Sequence, residues 1–342
     1  NQRLYDVAHT GSGALTLKTS SGRAFIDGDF TRTGGGALTL ACGLQYADDV
    51  LWDGTGNITL PADTLRGTGA SGQFHIGSTV GTTSATNTIL RFDGTTGMVL
   101  DDDKAVTFNR LVLGAGAKLT VNGSATNIYS TNAGSTITLE NSAVLTLQTH
   151  IRLTLAVTGA FISFGNGSSM NIVGNRDVKL FAIANAITCN LPAFNNNAGV
   201  IEIAVSGAYT NVVFNMTGSI ASTGDVYIYG NNAINSFTFN TKGYALSAGA
   251  LRTGCQNAAG SGTINYGAST ITASSFLHFG NNGTFITNWD SSTFNCSGNF
   301  TAAAGYTYNP GSSITKITGT STITSNGKQF ADSLACTGSG TV

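Results

Sequence analysis

Five charged or aromatic residues of the 342-residue chain recur at one interval of 25 positions. They are Arg152, Asp177, Glu202, Tyr227 and Arg252. If this interval is one turn of a coil of stacked strands, Asp177 and Glu202 lie about 5 Å apart on neighbouring strands. A retaining glycosidase uses two carboxylates at about that separation, one as nucleophile and one as acid/base. Asp177 and Glu202 are therefore the candidate catalytic residues.

The same five residues also fit a non-catalytic ladder on the outer face of a sheet. In that arrangement Arg152 neutralises Asp177, and Arg252 packs on the ring of Tyr227. Exposed pairs of this kind contribute about 0–1 kcal/mol each. No Trp falls in the column to stack against a sugar ring. We therefore favour the ladder and predict that the chain is not an enzyme.

Two tryptophans lie beside carboxylates and are candidates for carbohydrate binding. The pairs are Trp52 with Asp53 and Trp289 with Asp290. An exposed indole can stack on a sugar ring while the carboxylate accepts hydrogen bonds from its hydroxyl groups. The alternative, which we favour, is that each Trp packs at a corner of the fold.

Hard oxygen ligands of the kind that Ca²⁺ prefers are concentrated at Asp48, Asp49, Asp53 and Asn57. Their spacing matches neither the EF-hand loop nor the Gly-rich nonapeptide of calcium-binding β-rolls. We keep these four residues as candidates for a metal site, although the sequence as a whole predicts no metal and no cofactor.

The composition favours strands and turns over helices. Gly fills 45 positions, and charged residues make up 10% of the chain, against about 25% in an average soluble protein. The formal net charge is −1, and without a basic run the chain lacks the electrostatic signature of a nucleic-acid partner. No apolar run approaches the roughly 20 residues that span a bilayer, so we expect no membrane-spanning segment.

A repeat with a period of 25 positions indicates the fold in which these candidates lie. Residues 137–139, 145–147 and 153–155 are three cores in which apolar and polar residues alternate, eight positions apart. Apolar residues then recur every 25 positions at Ile137, Ile162, Ile187, Val212 and Phe237. Asn190, Asn215, Asn240 and Asn265 keep the same interval. Asn suits the left-handed backbone of a corner, and stacked Asn side chains can form a hydrogen-bonded ladder.

These features predict an all-β fold: a single-stranded, right-handed parallel β-helix, or β-solenoid, with about 25 residues and three short strands per turn. We expect irregular, acidic turns over residues 1–109 and the regular repeat over 110–275. Further turns over 276–342 contain a loop insertion near residues 281–290 and continue beyond the chain. The acidic character rests on residues 1–103, which hold 11 of the 17 acidic residues.

The Gly/Ser/Thr/Asn-rich turns, the 25-residue turn and the Thr-Ile-Thr runs at 270–272 and 322–324 resemble the right-handed parallel β-helices of phage tail spikes, fibres and other virion surface proteins. Bacterial adhesin passengers are similar. The resemblance implies an extracellular, non-enzymatic shaft or decoration at a virion surface that serves host attachment. Its implied partners are other virion or surface proteins and a host-surface glycan, and such spikes are commonly homotrimers.

Two alternatives stay open. One is an adhesin passenger at a bacterial cell surface, which faces the same folding problem outside the cell. The other is a polysaccharide-degrading tail spike or lyase that uses a groove beside Asp177 and Glu202.

Overall fold

The computed structural model of the chain describes residues 2–18, 22–81, 83–84, 87–103, 109–122, 136–174, 176–194, 198–231, 235–255, 260–279 and 284–337. Short β-strands and turns make up these ranges, and they contain no helix. A membrane-spanning helix is accordingly not found in them. The strands stack in parallel at about 25 residues per coil, so the predicted all-β solenoid is confirmed.

The chain divides into two compact units. The first consists of Asn1–Thr154 and Ile162–Arg176, and the second of Leu155–Phe161 and Asp177–Val342. Strand β19 (Ile151–Leu155) lies where the chain passes from one to the other. The predicted division at residues 109 and 275 describes the regularity of the sequence and stays a prediction.

The first unit contains three parallel sheets, whose strands are numbered in chain order along the whole molecule. Sheet I contains β1 (Gln2–Leu4), β4 (Arg23–Ile26), β7 (Gly43–Tyr46), β10 (Thr64–Gly67), β13 (Ile89–Phe92), β15 (Arg110–Leu113), β17 (Thr136–Leu139) and β21 (Ile162–Phe164). Sheet II contains β2 (Val7–His9), β5 (Phe30–Arg32), β8 (Val50–Trp52), β11 (Ser71–Ile76), β14 (Gly97–Asp102), β16 (Lys118–Asn122), β18 (Val144–Leu147) and β22 (Ser169–Ile172). Sheet III contains β3 (Leu15–Leu17), β6 (Leu38–Leu40), β9 (Ile58–Thr59) and β12 (Thr83–Ser84).

The second unit contains two further parallel sheets. Sheet IV contains β23 (Arg176–Ala182), β25 (Ala198–Val205), β27 (Ile220–Ala221), β28 (Val226–Gly230), β30 (Leu246–Cys255), β32 (Thr270–Phe279), β34 (Thr293–Cys296), β35 (Phe300–Thr301), β37 (Ile314–Ile317), β38 (Ile323–Thr324) and β39 (Ser333–Cys336). Sheet V contains β20 (Gly159–Ala160), β24 (Thr188–Leu191), β26 (Val212–Met216), β29 (Ser236–Asn240), β31 (Ser261–Asn265), β33 (Thr284–Asn288) and β36 (Thr307–Asn309).

Columns of apolar residues form the core of each unit. In sheet I, Leu44, Leu65, Leu90 and Leu111 lie opposite one another on successive strands, and each is at most 1% exposed. The step from Leu44 to Leu65 is shorter than the step from Leu65 to Leu90, as their sequence numbers show. Coil length therefore varies here, as expected for the irregular turns of residues 1–109.

Part of the second unit keeps the 25-residue repeat strictly. Ile201, Val226, Leu251 and Phe276 lie opposite one another on sheet IV, at equal intervals of 25 positions. All four are buried. Because side chains alternate along a strand, each inward residue has outward neighbours at equal intervals, and these form the outer columns of the sheet.

The 25-residue register does not hold at every predicted step. Strand β20 lies opposite Cys189 and Asn190 on β24. Ile162 instead belongs to β21, which pairs with β17 in the first unit, so the predicted alignment of Ile162 with Ile187 is wrong. Strand β21 is also the last of sheet I, and Phe164 is 38% exposed because no further strand of that sheet covers it.

The predicted loop insertion near residues 281–290 is wrong for residues 284–288. These residues form β33, which pairs in register with β31. The step from Ile264 to its partner Thr287 is two positions shorter than a regular coil rather than longer. Residues 281–283 lie outside the described part.

An asparagine ladder runs along the carboxyl ends of the strands of sheet V. The Nδ2 atom of Asn240 donates to Oδ1 of Asn215 at 2.9 Å, and that of Asn265 donates to Asn240 at 2.7 Å. Asn288 and Asn309 continue the series, each at 2.6 Å. Asn190 lies opposite Asn215 at the start of the column. The predicted ladder is confirmed from Asn215 to Asn265 and extends further than the sequence indicated.

Left-handed backbone lies two residues beyond the ladder rather than at it. Four residues that each follow a ladder asparagine by two positions have a positive φ: Lys242 (56°), Gly267 (57°), Asp290 (49°) and Gly311 (58°). The expectation that the ladder asparagines adopt this conformation is wrong, because they belong to the strands and none of them has a positive φ. Their side chains point outward, and the corner turns after them.

Candidate functional site

The outward column of sheet IV contains the residues proposed for catalysis. Glu202, Tyr227 and Arg252 lie opposite one another on β25, β28 and β30. Their neighbours Ile203 and Ile228 are fully buried on the inner face. The column therefore points outward as predicted, and Asp177 lies on the adjacent strand β23.

Both carboxylate oxygens of Glu202 are engaged by neighbouring side chains. Oε2 lies 2.9 Å from Nζ of Lys179, and Oε1 accepts a hydrogen bond from the hydroxyl of Tyr229. The Glu202 side chain is only 15% exposed. A carboxylate held by a cation and a hydroxyl is positioned as a structural partner, and the sequence analysis identified neither Lys179 nor Tyr229.

Arg252 forms the other predicted contact of the column. Its guanidinium carbon lies 5.6 Å from the centre of the Tyr227 ring, so the predicted stacking is confirmed. Asp225 accepts from Nε of Arg252 at 2.8 Å and from the Tyr227 hydroxyl at 3.2 Å. The pKa of Tyr227 is raised, mainly by burial, while the positive charge of Arg252 acts in the opposite direction. The predicted pairing of Arg152 with Asp177 stays a prediction.

An apolar cluster lies beside this column on the outer face of sheet IV. Phe181, Ala204 and Tyr229 are buried in it, and Ile183, Tyr227 and Phe279 pack against them. The Phe279 ring meets those of Tyr227 and Tyr229 edge to face, at 6.4 and 5.9 Å. The sequence analysis expected outward side chains to face solvent, and it therefore missed this cluster, although the aromatic residues are visible in the sequence.

The structure excludes both tryptophans as carbohydrate-binding residues and agrees with the favoured interpretation that each Trp packs in the fold. Trp52 and Trp289 are 0% exposed, so neither indole can stack on a sugar ring. Trp52 packs between Phe30 and Phe74 at 5.3 Å from each, and Trp289 stacks on Tyr266 at 4.7 Å. Inward and outward positions alternate along these segments. Each indole therefore points into the fold, and the carboxylate that follows it points outward.

The carboxylates that follow the tryptophans are exposed but make local contacts. Oδ1 of Asp53 lies 3.0 Å from Nε2 of His75 on the next strand. Oδ2 of Asp290 accepts a hydrogen bond of 3.2 Å from the backbone nitrogen of Gly267. Both side chains therefore support the stacking of neighbouring coils, and neither forms a sugar site with its tryptophan.

The four calcium candidates are not brought together. Asp48 and Asp49 precede β8, Asp53 follows it, and Asn57 precedes β9. Oδ1 of Asp49 accepts instead from the backbone nitrogen of Gln73 at 2.8 Å. Within the described ranges, no group of three His, Cys, Asp or Glu side chains could hold a metal ion. The four residues do not form a metal site because strand β8 separates Asp48 and Asp49 from Asp53 and Asn57.

Comparison of the chain with protein-family models, with curated proteins and with solved structures found no match in any of the three. The class of protein is therefore defined by the fold: an all-β, parallel β-solenoid of stacked coils. A fold of this kind supports both structural proteins and enzymes, so function has to be inferred from particular side chains.

Proposed function

We propose that the chain is a non-enzymatic structural protein, a β-solenoid shaft or decoration of a phage virion that serves attachment to a host surface. The observation that carries this proposal is how the outward side chains of sheets IV and V bond to one another from coil to coil. Asn240 bonds to Asn215 and Asn265, and Arg252 packs on Tyr227. Such cross-strand pairs stabilise a stack of coils.

The virion setting is inferred from the resemblance of the turns and of the 25-residue repeat to phage spikes and fibres. In that setting the partners are other virion proteins and a host-surface glycan, the location is extracellular, and a homotrimer is the expected assembly. An adhesin passenger on a bacterial surface needs the same fold. Whether the protein lies on a virion or on a bacterial cell therefore distinguishes the two proposals.

A polysaccharide-degrading activity is less well supported. It requires Asp177 and Glu202 to act on a bound sugar, yet both oxygens of Glu202 are engaged by Lys179 and Tyr229. The two indoles that could hold a sugar ring are buried. These contacts favour a role for Glu202 in holding the sheet together.

A cleavage assay tests the non-enzymatic part of the proposal. The purified chain is incubated with bacterial surface polysaccharides, and new reducing ends and unsaturated products are measured. We expect neither product. Cleavage that is lost in Glu202→Gln but kept in Asp332→Asn, a change of an exposed carboxylate in the same unit, would overturn the proposal. Immunogold electron microscopy of the source sample tests the virion setting.

A further inference from the structure

A depression lined by arginines lies on the outer face of sheet I in the first unit. It encloses about 500 Å³, and Arg23, Arg66, Arg91 and Arg110 line it together with Thr64 and Ile89. We call these four arginines and the space between them the arginine basin. The basin stands out because residues 1–103, which contribute three of its four arginines, hold 11 acidic residues and only 6 basic ones.

The register of sheet I brings these arginines together. Arg66 and Arg91 lie directly opposite one another on β10 and β13, and Arg110 lies opposite Ile89 on β15. Like charges placed directly opposite one another destabilise a sheet unless other groups compensate them. A sheet with a purely structural role would be expected to avoid two arginines opposite one another, so the pair Arg66 and Arg91 needs an explanation.

Carboxylates compensate only part of this charge. Asp93 accepts from Nε of Arg66 at 2.5 Å and from Nε of Arg91 at 2.9 Å. Glu140 takes both terminal nitrogens of Arg91, at 2.8 and 3.2 Å. The pKa of Arg91 is raised, chiefly by its hydrogen bond to Glu140. Arg91 is thus fixed in place by two carboxylates.

The other arginines keep donors that these carboxylates do not use. The terminal nitrogens of Arg66 bond to no side chain in the described ranges, since only its Nε contacts Asp93. Arg23 approaches Asp63 only to 4.0 Å. Arg110 is exposed, and it forms no ion pair or hydrogen bond with the residues that the structure describes. Four guanidinium groups therefore face three carboxylates, and the unused donors point to an anionic ligand.

The spacing of the arginines favours a ligand with several anionic groups in a row. Arg23 and Arg110 belong to β4 and β15, which are four strand steps apart in sheet I. Four steps correspond to about 19 Å at the usual strand separation. Guanidinium groups pair with carboxylate and sulfate through two parallel hydrogen bonds. A chain of acidic sugars carries such groups at repeated intervals and can lie across the strands.

We propose that the arginine basin binds an acidic glycan, meaning a carbohydrate chain that carries carboxylate or sulfate groups. Thr64 adds a hydroxyl that can bond to sugar hydroxyls, and Ile89 adds apolar contact. None of the described lining residues is aromatic, so the basin lacks the stacking surface that single-stranded nucleic acids use. This inference names a ligand for the proposed attachment function and rests on it for its biological meaning.

Calorimetric titration of the full chain tests the proposal. The probes are polygalacturonate, its methyl ester, dextran sulfate and unmodified dextran, with inorganic phosphate and single-stranded DNA for comparison. We expect binding to polygalacturonate, to dextran sulfate or to both, and none to the methyl ester or to dextran. The preferred acidic probe distinguishes carboxylate from sulfate recognition.

Variants locate the binding on the molecule. Arg110→Gln should weaken binding of the acidic glycan about tenfold, the loss of a charge-assisted hydrogen bond. Its fold should be unchanged, because Arg110 has no partner in the described ranges. Lys118→Gln removes the same charge from an exposed position on sheet II of the same unit and should bind as the parent does.

Each of the following results would overturn the inference: equal binding of the acid and its methyl ester, the same affinity of both variants for the acidic glycan, or DNA or phosphate bound as tightly as the glycan. No binding of either acidic probe would also overturn it. Failure of the proposed function can be distinguished from failure of this inference. If the chain binds acidic glycan through Arg110 but immunogold label is absent from virions, the virion setting fails and the basin stands.

Discussion

Asn240 lies directly opposite Asn215, 25 positions earlier in the chain, and its Nδ2 atom donates to the Asn215 Oδ1 atom at 2.9 Å. Asn265 repeats the contact one coil further on, at 2.7 Å. Each inner asparagine thus donates to one neighbour and accepts from the other. The ladder joins successive coils of sheet V through side chains, in addition to the backbone hydrogen bonds of the strands.

Removal of an inner member of the ladder should cost more than removal of its end. Asn240→Ala deletes two hydrogen bonds and leaves Asn215 and Asn265 without that partner, so we expect a loss of about 1–3 kcal/mol in the free energy of unfolding. Asn309→Ala deletes one bond at an exposed position and should cost less than about 1 kcal/mol. Urea denaturation measures both. Equal losses would contradict the larger contribution of the inner position, and no loss in either variant would show that the ladder does not stabilise the unit.

Two adjacent valines test the inward and outward alternation of sheet V. Val212 is fully buried on β26, whereas Val213 faces outward on the same strand. Val212→Asp places a charge without a partner in the core and should destabilise by several kcal/mol or prevent folding. Val213→Asp makes the same chemical change on the other face and should cost about 1 kcal/mol or less. Similar melting temperatures for the two variants would contradict the register.

The fluorescence of the two tryptophans tests their burial directly. Trp52 and Trp289 are the only tryptophans in the chain, and both are 0% exposed. We therefore expect weak quenching of the native protein by acrylamide and strong quenching after unfolding. Added sugars should leave the emission unchanged, because neither indole can contact them. Efficient quenching of the native state would restore the tryptophans as candidates for sugar binding.

His278 should make the stability of the second unit depend on pH. It packs against Phe276 and Phe285 at 4.6 and 5.4 Å, and neither ring nitrogen has a hydrogen-bond partner in the described ranges. Burial lowers the pKa of His278 to about 3, against about 6.5 in an unfolded chain. Between these values the unfolded state binds a proton that the folded state does not, so stability falls as the pH falls.

The variant His278→Phe removes this proton and keeps an aromatic ring. The stability of the variant relative to the parent should increase by about 2 kcal/mol between pH 7 and pH 5, because each pH unit below about 6.5 corresponds to about 1.4 kcal/mol. Urea denaturation at the two pH values measures the difference. A difference that does not change with pH would show that the folded state accepts the proton.

The regular part of the fold could be predicted from the sequence because stacked coils repeat their environment. A buried column demands an apolar residue at each turn, which is why the steps from Ile201 to Val226 and from Val226 to Leu251 are visible as a period of 25. The break at Ile162 was not visible, because apolar residues continue at the expected positions while the strands pair differently. Pairing partners depend on three-dimensional contacts that a one-dimensional period does not contain.

The candidate sites were harder to predict than the fold. A tryptophan beside an aspartate predicts a sugar site only if both are exposed, and alternation along the strand buries Trp52 and Trp289 instead. The arginine basin was missed although Arg66 and Arg91 keep the regular interval, because Arg23 and Arg110 join them through coils of other lengths. A search of the sequence for a single repeat length detects only those columns of residues that recur at that length.

Immunogold electron microscopy of the source sample, with an antibody raised to this chain, tests the central claim most directly. We predict gold label on phage capsids or tails, at positions where a surface protein can meet a host. Label confined to bacterial envelopes would contradict the virion assignment and favour an adhesin passenger. The same antibody, first absorbed with the purified chain, is the control that shows the label to be specific.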